Sequence, residues 1–507
     1  MHAPDIAVII LYLLGMAGMG FWFMRRNNSS DAYFKAGGRL PWWVVSLSIY
    51  ATMFSSITFI SVPAMSFSGD MTYYVISFGI IILAPIVTRW YLPFFRRLNL
   101  TSAYEYLEVR FNLPCRLFAS AAFSLFMVAR TAIVAYLPSL ALTAVTGIDI
   151  NLAIVAVTAI TILYCTIGGV EAVIWSDFIQ SVILILSTAL ILAWLICGTD
   201  GGFSGFLRMG LDAGKFRVFD LAFDWTKPCF WVVLIGGCVA NLASYTSDQC
   251  VVQRYMTTPD EKGAAKSILF NGVLSFFNCF VFFVMGVALW TFYQSHPAAL
   301  PQGIKPDAVL PVFIARELPM GLSGLVLAAV AAATMSTLSA NLNSASSAIT
   351  TDFYRRLFLQ RGDAVDANRF RRASRRRDVE NDANVERKLL LCGKVCTIVV
   401  GLLGGGCALL LANADIGNIY DQFQRFLGIL TGGLGCLFFM GIFMKRVTGT
   451  AALAGLIANY AVCVTLDQMH LAGKPHLLLF GFLGMIACLV VASVVSLFSH
   501  PQTKEMK

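Results

Sequence analysis

The chain has 507 residues, of which 58% are hydrophobic and 13% are charged, and its formal net charge is +9. Soluble globular proteins carry about 25% charged residues, so this composition, with a mean hydropathy of +0.74, excludes an ordinary soluble domain. The basic residues stand in short stretches beside apolar runs, which does not indicate a nucleic-acid-binding surface.

Apolar runs close to bilayer-crossing length follow one another along the chain. A span needs about 20 apolar residues, and we count about thirteen such runs, centred near residues 15, 53, 83, 130, 159, 186, 240, 280, 335, 400, 433, 458 and 487. Because lipid offers the backbone no hydrogen-bond partners, each run is predicted to be an α-helix. The sequence therefore predicts an all-α polytopic membrane protein with a single transmembrane domain over 1–507.

The first run is predicted to be a retained leading helix at 1–28. A secretory signal places its basic residues before the apolar core. Here His2 and Asp5 precede the core, whereas Arg25 and Arg26 follow it.

The distribution of basic loops predicts the orientation of the chain. Basic residues follow the first, third and seventh spans, Arg254 among them, and the polar segment at 355–388 is the most basic. The positive-inside rule then places the N-terminus outside and the C-terminus in the cytoplasm. The 355–388 segment is read as a solvated cytoplasmic loop, either a linker or a surface for anionic lipid headgroups.

The stretch "ATMFSSITFI" (51–60) carries four hydroxyl side chains inside an apolar run. One or two hydroxyls can bond their own helix or pack against a neighbour. Four in seven positions, ahead of Pro63, favour a helix broken within the membrane, where freed carbonyls and hydroxyls hold a small cation. With the leading helix set aside, this span would open a five-plus-five inverted-repeat core at 40–445, with its second half starting near Asn241 and trailing helices at 446–507.

A second span, "AAVAAATMSTLSANLNSASSAITTD" (328–352), is rich in small and hydroxyl residues. Ser336, Ser339 and Asn343 recur at helical spacing and share one face, with Thr337 on an adjacent stripe. A close-packed interface of small residues is one reading. The hydroxyls favour a second one, oxygen ligands for a cation held against the broken helix.

Two ionisable residues fall within apolar runs. Arg130 lies deep in its span, where a charge costs several kcal/mol and is expected to face a cavity with a partner. That partner is either a substrate carboxylate or a distant acid in a structural ion pair. Asp177 is either an ion ligand or the cap of a helix start.

No feature of the sequence indicates an enzyme. Nucleophile-elbow, phosphate-loop and zinc-protease motifs are absent, and the thirteen cysteines show no metal-ligand spacing. Any active transport would therefore be coupled to an ion gradient or to a partner.

Five motifs resemble the sodium:solute symporter family, in family order and over nearly the whole chain. They are "SSDAYFKAGGRLPWW", "LNLTSAYEYLEVRF", "TIGGVEAVIWSDFIQ", "DQCVVQRYMTTPDEKGA" and "STLSANLNSASSAITTDFYRR". The resemblance implies a LeuT-like inverted-repeat fold behind a leading helix, and sodium-coupled uptake by alternating access.

The family resemblance also implies a sodium site for the coupling ion, Na⁺. Its ligands would be three backbone carbonyls and two hydroxyls, from Ala51, Phe54, Ala333, Ser336 and Thr337. A second sodium site in part of the family would use Asp177, Ser336, Ser339 and a further serine. That last position is Ala340 here.

Within the family, the sequence is similar to the bacterial sialic acid symporters. That resemblance implies substrate contacts from Ser55, Thr58 and Arg130, with Tyr73 and Ser77 at the remaining positions. Ser77 stands where that branch has a glutamine, and Met53 replaces a threonine.

The expected function is sodium-coupled import of a small carboxylated solute, with sialic acid as the leading candidate, across the plasma (bacterial inner) membrane. Another monocarboxylate or sugar acid is the alternative within transporters, and a transporter-like sensor is the alternative outside them. Substrate, sodium and the lipid bilayer are the expected partners. No nucleic acid and no obligate protein partner are expected.

Overall fold

A computed structural model describes residues 3–24, 29–98, 101–319, 321–359, 379–414, 432–469 and 473–499. All regular secondary structure in these ranges is helical, which confirms the predicted class. Most of the basic segment predicted at 355–388 lies outside the described residues. The helices are Ala3–Met24, Ser30–Lys35, Ala36–Gly38, Trp42–Met53, Ser56–Ser68, Thr72–Val75, Ile76–Ile86, Val87–Tyr91, Leu92–Leu98, Glu105–Arg110, Leu113–Thr146, Ile150–Gly198, Gly202–Asp212, Phe230–Thr246, Gln249–Met256, Glu261–Ser295, Pro297–Ala299, Pro306–Arg316, Leu322–Ala348, Ile349–Leu359, Val379–Ala412, Gly432–Phe443, Gly449–Gln468, Leu477–Leu479 and Phe480–Phe498.

The count of thirteen spans is not confirmed. Within the described ranges, eight helices are long and apolar enough to cross a membrane, or ten when each of two bent pairs counts as one span. The run near 15 lies in the helix Ala3–Met24, and the run near 433 corresponds to the shorter apolar helix Gly432–Phe443. The runs near 159 and 186 lie on either side of Gly169 within Ile150–Gly198, where two helices join at a kink. Gly169 has φ 59° and ψ −165°, a conformation open to glycine alone.

The first bent pair, hereafter the first broken helix, joins Trp42–Met53 to Ser56–Ser68 at 60°. Phe54 (φ −92°, ψ 88°) and Ser55 (φ −84°, ψ 171°) leave the helical region between the two segments. The predicted break in the hydroxyl-rich stretch is therefore confirmed. One of the four hydroxyls bonds its own helix, as the alternative interpretation expected: Thr52 Oγ1 donates to the Ser48 carbonyl at 2.8 Å.

The second bent pair, the second broken helix, joins Phe230–Thr246 to Gln249–Met256 at 51°. It contains Asn241, where the second half of the core was predicted to begin. Asp248 lies at the break and accepts the backbone N–H of Cys250 at 2.8 Å, which caps the second segment.

Two further helices surround the breaks. The serine-rich helix, Leu322–Ala348, packs against Ile150–Gly198 and against both segments of the first broken helix. It is almost entirely buried, because its alanines and serines let neighbouring backbones approach closely. The arginine helix, Leu113–Thr146, also packs against the serine-rich helix and carries Arg130. The predicted ion-site residues and Arg130 therefore come from the first broken helix, Ile150–Gly198, the serine-rich helix and the arginine helix.

Candidate functional site

Arg130 lies between the two helix breaks. Its Nη2 donates to the carbonyl of Thr52, in the last turn before the first break, at 3.0 Å. Its Nη1 lies 3.5 Å from Oδ2 of Asp248, at the second break. The arginine side chain is only 10% exposed, so the guanidinium is buried within the protein.

The sequence left two candidate partners for Arg130, a substrate carboxylate and a distant acid, and the structure shows a distant acid beside it. Asp248 supplies it across 118 residues of chain. The separation of 3.5 Å exceeds the roughly 2.7–2.9 Å of a strong charge-assisted hydrogen bond. The buried Nε of Arg130 has no hydrogen-bond partner among the described residues. The guanidinium therefore keeps donors for a further anionic ligand.

Backbone carbonyls become available at the end of the first segment of the first broken helix. A helix ending at Met53 leaves the carbonyls of its last turn without intrahelical donors. The carbonyl of Tyr50 accepts a hydrogen bond from the N–H of Phe54 at 2.8 Å, and the carbonyl of Thr52 accepts one from Nη2 of Arg130. Ala51 belongs to the same turn, and Phe54 follows it, with its ring stacked on Tyr50. Both residues are buried.

The predicted ligands on the serine-rich helix are also buried and lie close together. Thr337 Oγ1 is 3.1 Å from the carbonyl of Ala333, to which it donates. Ser339 Oγ donates to the carbonyl of Ser336 at 2.8 Å. Ala333 and Phe54 belong to the same large buried apolar cluster. The serine-rich helix that carries these residues packs against both segments of the first broken helix.

Asp177 sits in a fully buried polar cluster. Its Oδ2 accepts from Ser48 Oγ at 2.5 Å and from Arg254 Nη2 at 2.8 Å, and its Oδ1 accepts from Ser336 Oγ at 2.8 Å. The helix-start reading of Asp177 is wrong, because the residue lies within Ile150–Gly198, past its kink. The carboxylate links the first broken helix, the second broken helix and the serine-rich helix.

Arg254 corrects a second expectation. It was counted among exposed basic loop residues, yet it is 1% exposed and belongs to the second broken helix. Its Nε donates to Ser48 Oγ and its Nη1 to the carbonyl of Cys250, both at 2.7 Å. All three guanidinium nitrogens are therefore engaged.

Of the remaining predicted substrate residues, Ser55 and Thr58 lie at the first break, whereas Tyr73 and Ser77 lie on the next two helices, Thr72–Val75 and Ile76–Ile86. Ser55 begins the second segment and is buried, whereas Thr58 is half-buried one turn later. The hydroxyl of Tyr73 is 3.3 Å from Nε2 of His476. Ser77 is buried and donates to the carbonyl of Tyr74 at 2.7 Å. Its hydroxyl proton is thus already donated to a carbonyl of the preceding helix, Thr72–Val75.

A second buried ion network lies at the opposite end of the arginine helix. Arg116 pairs with Asp352 and Glu108 at 2.8 Å each. Nearby, Glu105 accepts the backbone N–H groups of Thr101 and Ser102 at 2.9 Å each. Burial acts to raise the pKa of Glu105, but Arg116, Arg355 and the Ser102 N–H outweigh it and lower the pKa.

Sequence reasoning missed Asp248, Arg254 and Ser48. A signal for Asp248 was present, since an aspartate stands inside an apolar span immediately before a helical segment. Arg254 lies six positions later, on the same short segment. A sequence contains no sign that Arg254 reaches Asp177, 77 residues away.

Two broken helices meet around a buried arginine, beside a hydroxyl-rich helix. Paired broken helices with free carbonyls and helix ends are typical of ion-coupled secondary transporters of the inverted-repeat class. Residues 33–374 match the model of the Sodium:solute symporter family, and the chain belongs to that family.

Individual relatives agree with this assignment. The chain is 34% identical to the sodium/sialic acid symporter SiaT of Proteus mirabilis over 493 residues, covering 97% of this chain and 94% of the relative. It is 35% identical to the sodium/sialic acid symporter NanT of Aliivibrio fischeri over 484 residues, covering 95% and 91%. A solved structure of a Na⁺-coupled sialic acid symporter, in a substrate-bound outward-open state, matches with a TM-score of 0.88 and 33% identity, covering 99% of this chain and 100% of that one.

These findings confirm the family resemblance and the LeuT-like fold inferred from the sequence. The chain is a multi-pass membrane transporter rather than an enzyme, and sodium is its coupling ion. A small-molecule solute and sodium are its binding partners.

Proposed function

We propose that the protein imports N-acetylneuraminate, the common sialic acid, together with sodium. The relatives named for this substrate support the proposal. The observation that carries it is the guanidinium of Arg130, buried at the helix breaks with its Nε unpaired. A planar guanidinium binds a carboxylate through two parallel N–H bonds, and the carboxylate is the group that distinguishes this sugar from its neutral precursors.

Five residues would contact the substrate. Arg130 would hold the carboxylate, and the hydroxyls of Ser55 and Thr58 would meet polar groups of the sugar beside the break. Tyr73 would supply a ring and a hydroxyl already near His476. Ser77 would act as an acceptor, since its proton is donated to the Tyr74 carbonyl.

The principal sodium ion would bind where the first broken helix meets the serine-rich helix. Its oxygen ligands would be the carbonyls of Ala51, Phe54 and Ala333 and the hydroxyls of Ser336 and Thr337. Hard cations prefer such oxygens, and a site without a fixed carboxylate binds weakly enough to release the ion. Because both helices supply ligands, sodium would hold them together.

We propose a single sodium per substrate. Asp177, with Ser336 and Ser339, is the candidate for a second site. Its carboxylate, however, already accepts Arg254, Ser48 and Ser336. Position 340 is an alanine and offers no hydroxyl. The positive charge that a second sodium would bring is supplied by Arg254.

The proposed location is a bacterial inner membrane, with the N-terminus outside and the C-terminus in the cytoplasm. Three of the predicted inner loops lie together, which supports this orientation. The N–H of Leu40 donates to the Thr257 carbonyl at 3.0 Å. Arg96 donates to the carbonyls of Met256, Thr258 and Pro259.

Calorimetric binding of N-acetylneuraminate to the purified protein tests the substrate. Binding is expected in sodium chloride and not in choline chloride, and the neutral sugar N-acetylmannosamine should not bind. Arg130→Ala should weaken binding about 100-fold, since two hydrogen bonds to a charged group are worth roughly 3 kcal/mol or more. Arg208→Ala is the matched control, because that arginine is 85% exposed. Equal binding by the Arg130→Ala and Arg208→Ala proteins would remove Arg130 from the site, and binding of other carboxylates alone would replace the sugar.

A further inference from the structure

The second broken helix presents two carboxylate–guanidinium pairs of different character. Arg254 and Asp177 meet at 2.8 Å, with side chains 2% and 0% exposed. Arg130 and Asp248 meet at 3.5 Å, with side chains 10% and 13% exposed. The first is a tight, dry pair, whereas the second is long and reachable by solvent. A loose pair of this kind can be exchanged for another ligand.

Asp248 divides its two oxygens between two tasks. Oδ1 accepts the N–H of Cys250 at 2.8 Å and caps the second segment of its helix. Oδ2 faces Nη1 of Arg130. A change in the ligand of Arg130 therefore acts through the Asp248 carboxylate on the cap of the Gln249–Met256 segment.

Arg130 has enough donors for both Asp248 and a second carboxylate. A guanidinium carries five N–H groups. The contacts to Thr52 and Asp248 use one on each terminal nitrogen. Nε is buried and has no hydrogen-bond partner among the described residues, so it is a donor left for a substrate carboxylate.

Resting on the proposed function, we propose that Asp248 is the positioning and specificity residue for the substrate carboxylate. It neutralises and orients Arg130 before the substrate binds. It then competes with the bound carboxylate, because two like charges beside one guanidinium repel each other. This competition holds affinity low enough for release and transmits substrate binding to the second broken helix.

Asp248→Asn tests the proposal with little change of shape. Asparagine caps a helix as well as aspartate does, so the backbone of the second segment is preserved while the competing charge is removed. We expect the KM for N-acetylneuraminate to fall about tenfold, which corresponds to about 1.4 kcal/mol, and the maximal uptake rate to fall because release is slower. A purely structural role would lower stability and would not produce this split. An unchanged or raised KM in a folded Asp248→Asn protein would overturn the proposal.

A second arm separates this inference from the identity of the sugar. Acetate serves as a minimal carboxylate, and the melting temperature of the purified protein is compared in sodium acetate and sodium chloride. Asp248→Asn should increase the stabilisation by acetate, and Arg130→Ala in the same background should abolish the increase. If that result holds but the wild type does not bind N-acetylneuraminate, the proposed substrate fails and the role of Asp248 stands. If Asp248→Asn changes neither the acetate nor the sugar response, the role of Asp248 is refuted.

Discussion

Replacing Arg254 with glutamine would leave a charge buried without compensation. Arg254 donates at 2.7–2.8 Å to Ser48, Asp177 and the Cys250 carbonyl, and Asp177 is 0% exposed. Breaking a buried ion pair by removing one partner costs about 3–5 kcal/mol. For a protein of this size we expect the melting temperature in detergent to fall on the order of 5 °C.

The control for this substitution is Arg208→Gln. Arg208 is 85% exposed and lies 3.9 Å from Asp212, and exposed pairs contribute at most about 1 kcal/mol. Its loss should therefore shift the melting temperature little.

A double variant identifies the cause. Arg254→Gln combined with Asp177→Asn removes the unpaired charge, so the combined loss should be smaller than the sum of the two single losses. Equal melting temperatures for Arg254→Gln and Arg208→Gln, or additive losses in the double variant, would refute the argument that the pair is an electrostatic unit.

Three other predictions concern the ion sites and pH. The double substitution Ser336→Ala with Thr337→Ala should raise the sodium concentration for half-maximal uptake severalfold. The control is Thr334→Ala, which should leave that concentration unchanged, because the Thr334 hydroxyl donates to the Val330 carbonyl of the same helix. Equal sodium dependence of the double variant and the control would contradict the site. The ratio of sodium to substrate, from reversal potentials, should be one, and a ratio of two would restore the second site. Because the folded pKa of Glu105 is lowered, its stabilisation is complete above its unfolded pKa and is lost as the pH falls through the folded pKa. Glu105→Gln should therefore lower the melting temperature at pH 7 and approach the wild type in acid, and a gap independent of pH would count against this.

The first broken helix could be predicted because lipid makes polar groups costly. Four hydroxyls within 51–60 have no simple reason to be there unless backbone and side chains share ligands. The same cost made Arg130 stand out. The second broken helix carried a weaker signal, since its break holds only Ser247 and Asp248.

The pairing of buried charges could not be predicted from the sequence. Arg254 stands near Lys262 and Lys266, so it resembled the charges that flank a span. The fold instead turns it inward to Asp177, across 77 residues. Periodicity shows which face of a helix is polar, but not which distant helix meets it. The count of thirteen spans stays unconfirmed. The two helices within Ile150–Gly198 meet at the Gly169 kink without a polar loop, so no polar segment marks the boundary between them.

The most direct test of coupled transport is uptake of labelled N-acetylneuraminate by proteoliposomes. Vesicles are loaded without sodium and diluted into sodium chloride or into choline chloride of equal concentration. We predict transient accumulation above the external concentration in sodium, with no accumulation in choline or after an ionophore collapses the gradient. Uptake that is the same with and without the sodium gradient would contradict the account.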